Sequence, residues 1–343
     1  MEADSAQGRS LPLAAPDVQA RPPATPLSLS RVGVTGVEKI LRISANGSEQ
    51  LYHADLECYV DLNPEQMGVH MSRFEEVVNE AIDEVVMGEA FKAETLASHI
   101  AERVRNRQQG LRAEVTIRAR YPERKLTPVT GLYTQELYTL IGTAVVSERG
   151  LRRLVGVQAQ GMTACPCAQE LVADGARQRL VEEGFTDDEI ERVLAAVPVA
   201  THNQRGIGTL SVGCPEWCDL DVSAETLLEI VEQSMSSEIF ELMKRADERA
   251  VVEKAHSRPR FVEDCVREMV RGLLAAYPEL DESAFVLAHQ ENLETIHQHS
   301  VVAERHGLAS EIRNELESGE HSRRHFTLRE WLEGGASAPA NSG

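Results

Sequence analysis

Residues 54–62 alternate strictly, with Ala54, Leu56, Cys58, Val60 and Leu62 interleaved by Asp55, Glu57, Tyr59 and Asp61. A period of two sends the two sets to opposite faces of a strand, one buried and one exposed. The alternation returns at Val115, Ile117, Ala119 and Tyr121, interleaved with Glu114, Thr116, Arg118 and Arg120. Between these strands Phe74, Val77, Val78, Ala81, Ile82 and Val85 recur at helical spacing, and a second helix is expected over 93–106. Strands over 137–146 and 151–160 follow, so the first half reads strand, strand, helix, helix, strand, strand. The second half repeats the theme loosely, with extended segments near Val155 and over 208–212, helices around 224–233 and 259–274, and a last strand pair from about Ala284. Antiparallel neighbours with helices gathered on one face predict an α+β layer architecture, not a doubly wound sheet.

A chain of 343 residues exceeds what one hydrophobic core usually organises, which favours two similar units. We expect a Pro-rich disordered arm over 1–30, an N-terminal unit over 31–160, a C-terminal unit carrying most site residues over 161–333, and a flexible tail over 334–343. The formal charge of −20 argues against nucleic acid as a partner, because duplex binding depends on Lys and Arg meeting phosphates. A phosphorylated small molecule could bind only where arginines gather against that field. No stretch is apolar for the roughly 18 residues a membrane span needs, and the N-terminus lacks a signal peptide's order, so a cytoplasmic protein is expected. In a reducing compartment six cysteines read as ligands, nucleophiles or core residues, not as a disulfide framework.

Chemistry concentrates in a few segments. Cys165-Pro166-Cys167 ends the run Gly161-Met-Thr-Ala, and adjacent Pro166 favours a tight turn there. A thiolate is a strong ligand for Zn²⁺ or Fe²⁺. Cys214-Pro-Glu-Trp-Cys218 is a rival partner, since four cysteines in two close pairs could close a structural zinc site. His202-Asn-Gln-Arg-Gly206 has the polarity of a pocket-lining loop. In Glu294-Thr-Ile-His297-Gln-His299 a helix would make Glu294 and His297 neighbours, whereas a strand would put His297 and His299 on one face. Glu263 sits at the rim of a helix whose buried face carries Val262, Cys265, Val266 and Met269, where pairing with Arg267 is the mundane reading. Gly68-Val-His-Met-Ser-Arg73 offers Ser72 as a helix cap and Arg73 in the first turn, a place where an anion could bind.

Together these segments, with Leu242-Met-Lys-Arg-Ala-Asp-Glu248 and Pro259-Arg-Phe-Val-Glu-Asp264, resemble the type IB GTP cyclohydrolase family, whose archaeal members are called MptA. The motifs run in order across almost the whole chain. The resemblance implies a tunnelling fold of two tandem ββααββ-like units, assembled as a homodimer or homotetramer with active sites at subunit interfaces. It implies opening of the guanine ring of GTP at C8 with release of formate. The product would be 7,8-dihydroneopterin triphosphate, the start of folate-type pterin synthesis, or its 2′,3′-cyclic phosphate in a methanopterin-type pathway. By motif position, Cys165, Glu248 and His297 look like ligands of one divalent metal per subunit (Fe²⁺, Mn²⁺ or Zn²⁺), with His202 completing the shell or bonding the bound water. His202 and Glu294 suit proton transfer, Glu263 looks like the purine anchor, and Arg73 and Arg205 are candidates for the triphosphate. Residues 168–201, holding a charged helical segment over 176–196, look more like the archaeal spacing. The alternatives are another tunnelling-fold enzyme acting on a pterin or purine, and a non-catalytic zinc-stabilised binding protein using Cys165, Cys167, Cys214 and Cys218.

Overall fold

A computed structural model describes residues 17–45, 48–85, 92–218, 221–320 and 322–334. Strands β1 (Leu29–Ala45) and β2 (Ser48–Leu62), helices α1 (Met71–Val85) and α2 (Ala93–Gln108), and strands β3 (Ala113–Leu126) and β4 (Tyr133–Ser147) come first. Strand β5 (Gly150–Ala164), helices α3 (Pro166–Glu182) and α4 (Asp187–Ala196), strand β6 (Asn203–Pro215), helix α5 (Ala224–Ser234) and the short β7 (Ser237–Glu238) follow. Helices α6 (Arg245–Ser257) and α7 (Val262–Ala276), strands β8 (Phe285–Leu293) and β9 (Val301–Leu308), and helices α8 (Ala309–Ser318) and α9 (Leu328–Leu332) complete the chain. All described strands join one antiparallel sheet in the order β1-β2-β3-β4-β5-β6-β8-β9, with β7 paired to β5.

The sequence alternation appears directly as burial. Ala113, Val115, Ile117 and Ala119 are buried, while Arg118 and Arg120 are exposed on the other face of β3. Helices α1 and α2 close one core over β1 to β4 with Phe74, Val77, Leu96, Ile100 and Val104. Each such side chain contributes about 2 kcal/mol by leaving water. Helices α5 and α7 close a second core over the rest of the sheet with Leu227, Val231, Cys265, Met269 and Leu273. The antiparallel sheet with helices on it is the α+β layer architecture that the element order predicted.

Several elements differ from the sequence reading. The segment over 176–196 is the end of a longer hairpin, since Pro166 occupies the first position of α3 and Gly184, at φ +88°, breaks it before α4. Ser72 lies inside the first turn of α1 and does not cap it. The 294–300 segment is an irregular loop between β8 and β9, neither helix nor strand. Helix α9 was not anticipated from composition. It is held because Trp331 is fully buried against Phe285 on the sheet face opposite the other helices, and its indole N–H donates to the Ser283 carbonyl (2.9 Å). Of the arm expected over 1–30, residues 17–28 are described, and Met67 N–H donates to the carbonyls of Gln19 (3.0 Å) and Arg21 (2.8 Å). Residues 1–16 and 335–343, which include most of the expected arm and tail, lie outside the described residues.

Candidate active site

Strands β5 and β6 pair from Arg152↔Pro215 to Ala164↔Asn203, so Cys165 and His202 emerge side by side at one end of the ladder. The Cys165 N–H donates to the His202 carbonyl (3.1 Å), and the Thr201 hydroxyl donates to the Cys165 carbonyl (2.7 Å). Cys165 is thereby fixed as the residue preceding α3. The next strand, β8, pairs Arg205 with Leu293 and delivers Glu294 and His297 to the same end. A pocket of about 480 Å³ opens there, lined by Cys165, His202, Glu263, Glu294, His297 and His299 together with Gln204, Arg260 and Asn292.

The largely buried Glu294 carboxylate stands 3.7 Å from His202 Nδ1. Gln204 lies between them, donating from Nε2 to Glu294 Oε1 (3.3 Å) and presenting Oε1 to His202 Nδ1 at 3.1 Å. A carboxylate only accepts, so the Gln204 amide must turn its NH₂ to Glu294 and its carbonyl to the imidazole. That orientation places the ring proton on Nδ1 and leaves the Nε2 lone pair of His202 free for a proton or a cation. Gly206, at the end of the same motif, keeps room behind this array. A Cβ there would stand 2.5 Å from Gln290 Nε2 and 3.1 Å from Asn292 Oδ1. The rings of His297 and His299 stack with centroids 5.2 Å apart.

Glu263 enters from the first turn of α7, and Arg267 pairs with Asp264 (2.7 Å), not with Glu263. The surface-pair reading of Glu263 therefore does not hold. Three expected site residues lie outside the pocket lining. Arg73 bonds the Arg107 carbonyl at the end of α2 (3.3 Å), Arg205 bonds Gln160 Oε1 (3.0 Å), and Glu248 is exposed in the first turn of α6. The buried neighbour of Glu248, Asp247, accepts from the Val129 and Thr130 N–H groups (2.9 Å each), the Thr130 hydroxyl (2.6 Å) and the Lys244 N–H (3.0 Å). Burial opposes its ionisation, but these hydrogen bonds outweigh burial and hold its carboxyl well below the usual range. Arg260 was missed by sequence reasoning. It sits within the Pro259-Arg-Phe-Val-Glu-Asp264 motif, and its N–H bonds the Ala164 carbonyl beside Cys165 (2.9 Å), which turns the residue into the pocket.

A thiol, imidazoles and a carboxylate around one pocket are a donor set suited to a divalent cation. Among the described residues, however, no three His, Cys, Asp or Glu side chains already stand as a metal-binding group. The donors fit by type. The rival four-cysteine zinc site is not formed. Cys214 pairs with Arg153 at the far end of the β5–β6 ladder, eleven residues and roughly 36 Å from Ala164 at about 3.3 Å per residue.

A model of the family described as type I GTP cyclohydrolase folE2 matches residues 15–303 of this chain. The chain belongs to that family. GTP cyclohydrolase MptA of Methanothermobacter thermautotrophicus is 41% identical over 309 residues, covering 88% of this chain and 96% of the relative. The MptA protein of Methanosarcina acetivorans is 39% identical over 311 residues, covering 88% and 97%. Among solved structures, uricase from Arthrobacter globiformis shares the fold with a TM-score of 0.52 at 7% identity, covering 88% of this chain and 97% of that one. Among the described residues no helix is long and apolar enough to cross a membrane.

Proposed function

We propose that this protein is a divalent-metal-dependent GTP cyclohydrolase that hydrolytically opens the guanine ring at C8, releases formate and forms a dihydropterin. The observation that carries this reading is the convergence of Cys165, His202, Glu294, His297 and Glu263 on one pocket in a member of this family. Cys165, His297 and His202, with Glu248, would hold the cation, which supplies the Lewis acidity that makes water nucleophilic near neutral pH.

The chain's own residues account for orientation and proton movement. Guanine presents N1–H and the N2 amino group side by side, and the Glu263 carboxylate accepts from both, a pairing adenine cannot offer. The Glu294 carboxylate, in the pocket wall, takes a proton from the attacking water and returns it to the opening ring, while Gln204 holds the His202 imidazole in the tautomer that leaves Nε2 to the cation. Arg260, in the pocket wall, is placed to meet phosphate oxygens, with Arg205 and Arg73 as more distant candidates. We divide the chain into its two tandem units at the β4–β5 turn, since β5 runs unbroken through residues 160 and 161 and the second unit carries the pocket. The assembly is a homodimer or homotetramer in the cytoplasm.

Incubation with GTP and Fe²⁺ or Mn²⁺ tests the reading. Formate and an oxidisable fluorescent pterin are expected, and the product mass separates the linear triphosphate from the 2′,3′-cyclic phosphate. Absence of both formate and pterin across Fe²⁺, Mn²⁺ and Zn²⁺ would overturn it. Glu263→Gln replaces one acceptor by a donor facing guanine's donors, so GTP affinity should fall by roughly tenfold or more.

A further inference from the structure

Burial along β8 changes character towards the site. Val286 and Ala288 are apolar and lie in the core under α5 and α7, but the next two residues on that face are Gln290 and Asn292, 0% and 2% exposed. The register sets each amide against a glycine of β6, Gln290 opposite Gly208 and Asn292 opposite Gly206. A Cβ on Gly206 would stand 2.5 Å from Gln290 Nε2, and one on Gly208 would stand 2.9 Å from Gln290 Oε1. The sheet forgoes two side chains to admit two amides.

The pair does not satisfy itself. Gln290 Nε2 donates to Asn292 Oδ1 (3.0 Å), and Gln290 Oε1 has no partner among the described residues. A buried carbonyl oxygen without a donor destabilises a fold, so stability does not explain the pair. Turning the Gln290 amide over would enclose unpaired N–H donors in place of one oxygen, which fixes the direction of the bond. Asn292 therefore has its oxygen engaged from behind and holds its Nδ2 donors for the pocket that it lines. Of the two side-chain amides in that lining, Gln204 already turns its NH₂ to Glu294, and Asn292 supplies the uncommitted one.

We propose that Asn292 is a specificity-determining residue that donates from Nδ2 to O6 of the guanine, with Gln290 as the positioning residue that fixes its amide. The inference rests on the reading that Glu263 anchors the guanine of GTP in this pocket. Glu263 accepts from N1–H and the N2 amino group, and O6 follows N1 along the same edge as an acceptor. Enclosing that oxygen without a donor would weaken binding. Together the two side chains match guanine along its whole edge, whereas xanthine fails at Glu263 and adenine fails at both.

Rapid filtration of labelled GTP, with 6-thio-GTP as competitor, tests the contact on the metal-loaded full chain. Sulfur in place of O6 is a poor acceptor and leaves N1–H and N2 as they are, so wild-type protein should bind GTP about tenfold more tightly than the analogue. Equal affinities in wild-type protein would overturn the contact whatever the variants do. Asn292→Ala should weaken GTP about tenfold and 6-thio-GTP less than about twofold, and Gln290→Leu should reduce the preference to about threefold by freeing the amide to turn. A tenfold preference retained in Asn292→Ala would overturn the role of that residue, and one retained in Gln290→Leu would overturn the positioning. Wild-type protein that shows the preference yet releases no formate would sink the cyclohydrolase reading and leave the contact standing. Protein that binds neither nucleotide would sink both.

Discussion

Two helix pairs follow strands in this molecule, and they stand in opposite relation to the sheet. The α1–α2 pair packs on β1 to β4 and buries Phe74, Val77, Val78, Leu96, Ile100 and Val104. The α3–α4 pair leaves Leu171, Val181 and Phe185 exposed and begins at the thiol of the candidate site. The first pair is amphipathic for its own chain. The second carries apolar residues that its own chain leaves exposed.

That contrast can be broken by substitution on either side. Ile100→Ala removes a fully buried side chain between α2 and the sheet and should lower the unfolding free energy by about 3 kcal/mol, read from urea denaturation. An effect below 1 kcal/mol would remove the distinction between the pairs. A smaller loss is expected from alkali. Burial, with Glu75 and Glu57 adding to it, pushes the Cys58 thiol beneath α1 up to about 12. An unfolded thiol titrates near ~8.5, so the native state keeps the proton longer. The associated stability is complete below that pH and declines as pH rises toward the folded value. At pH 10 the loss is about 2 kcal/mol, measured as a shift in urea midpoint that Cys58→Ala abolishes.

The hairpin should respond more weakly. Both the N–H and the hydroxyl of Thr186 bond Glu189 Oε2 (2.9 and 2.8 Å), so Thr186→Ala should fray the start of α4 by about 1 kcal/mol, seen as faster local amide exchange. Leu171→Ser should leave the stability of the single chain within about 0.5 kcal/mol. A larger change would mean that Leu171 is packed inside its own chain, against the account given for the hairpin.

Legibility in the sequence follows the same division. Strand β3 and helices α1 and α2 were readable because one face of each meets a core, which imposes a period of two or of 3.6 on the apolar residues. Helix α6 escaped because it buries only Asp247, Val251 and Ala255, too few for a period to show. Helix α9 escaped because five residues held chiefly by Trp331 carry no period at all. In the site, Cys165, His202 and Glu263 were legible as motif residues. The Gln204 bridge was not, since it depends on β6 and the β8 end arriving at one place. Arg260 was hidden for the same reason, its direction being set by a bond to Ala164, nearly a hundred positions earlier.

The central claim is that sulfur and imidazole from Cys165, His202 and His297 hold one cation in the pocket that receives guanine. X-ray absorption on the metal-loaded, assembled protein tests it most directly. The account predicts a sulfur scatterer and imidazole nitrogens in the shell, with the sulfur lost in Cys165→Ala while the fold persists. A shell of oxygen donors alone, identical in wild-type protein and in Cys165→Ala, would contradict it.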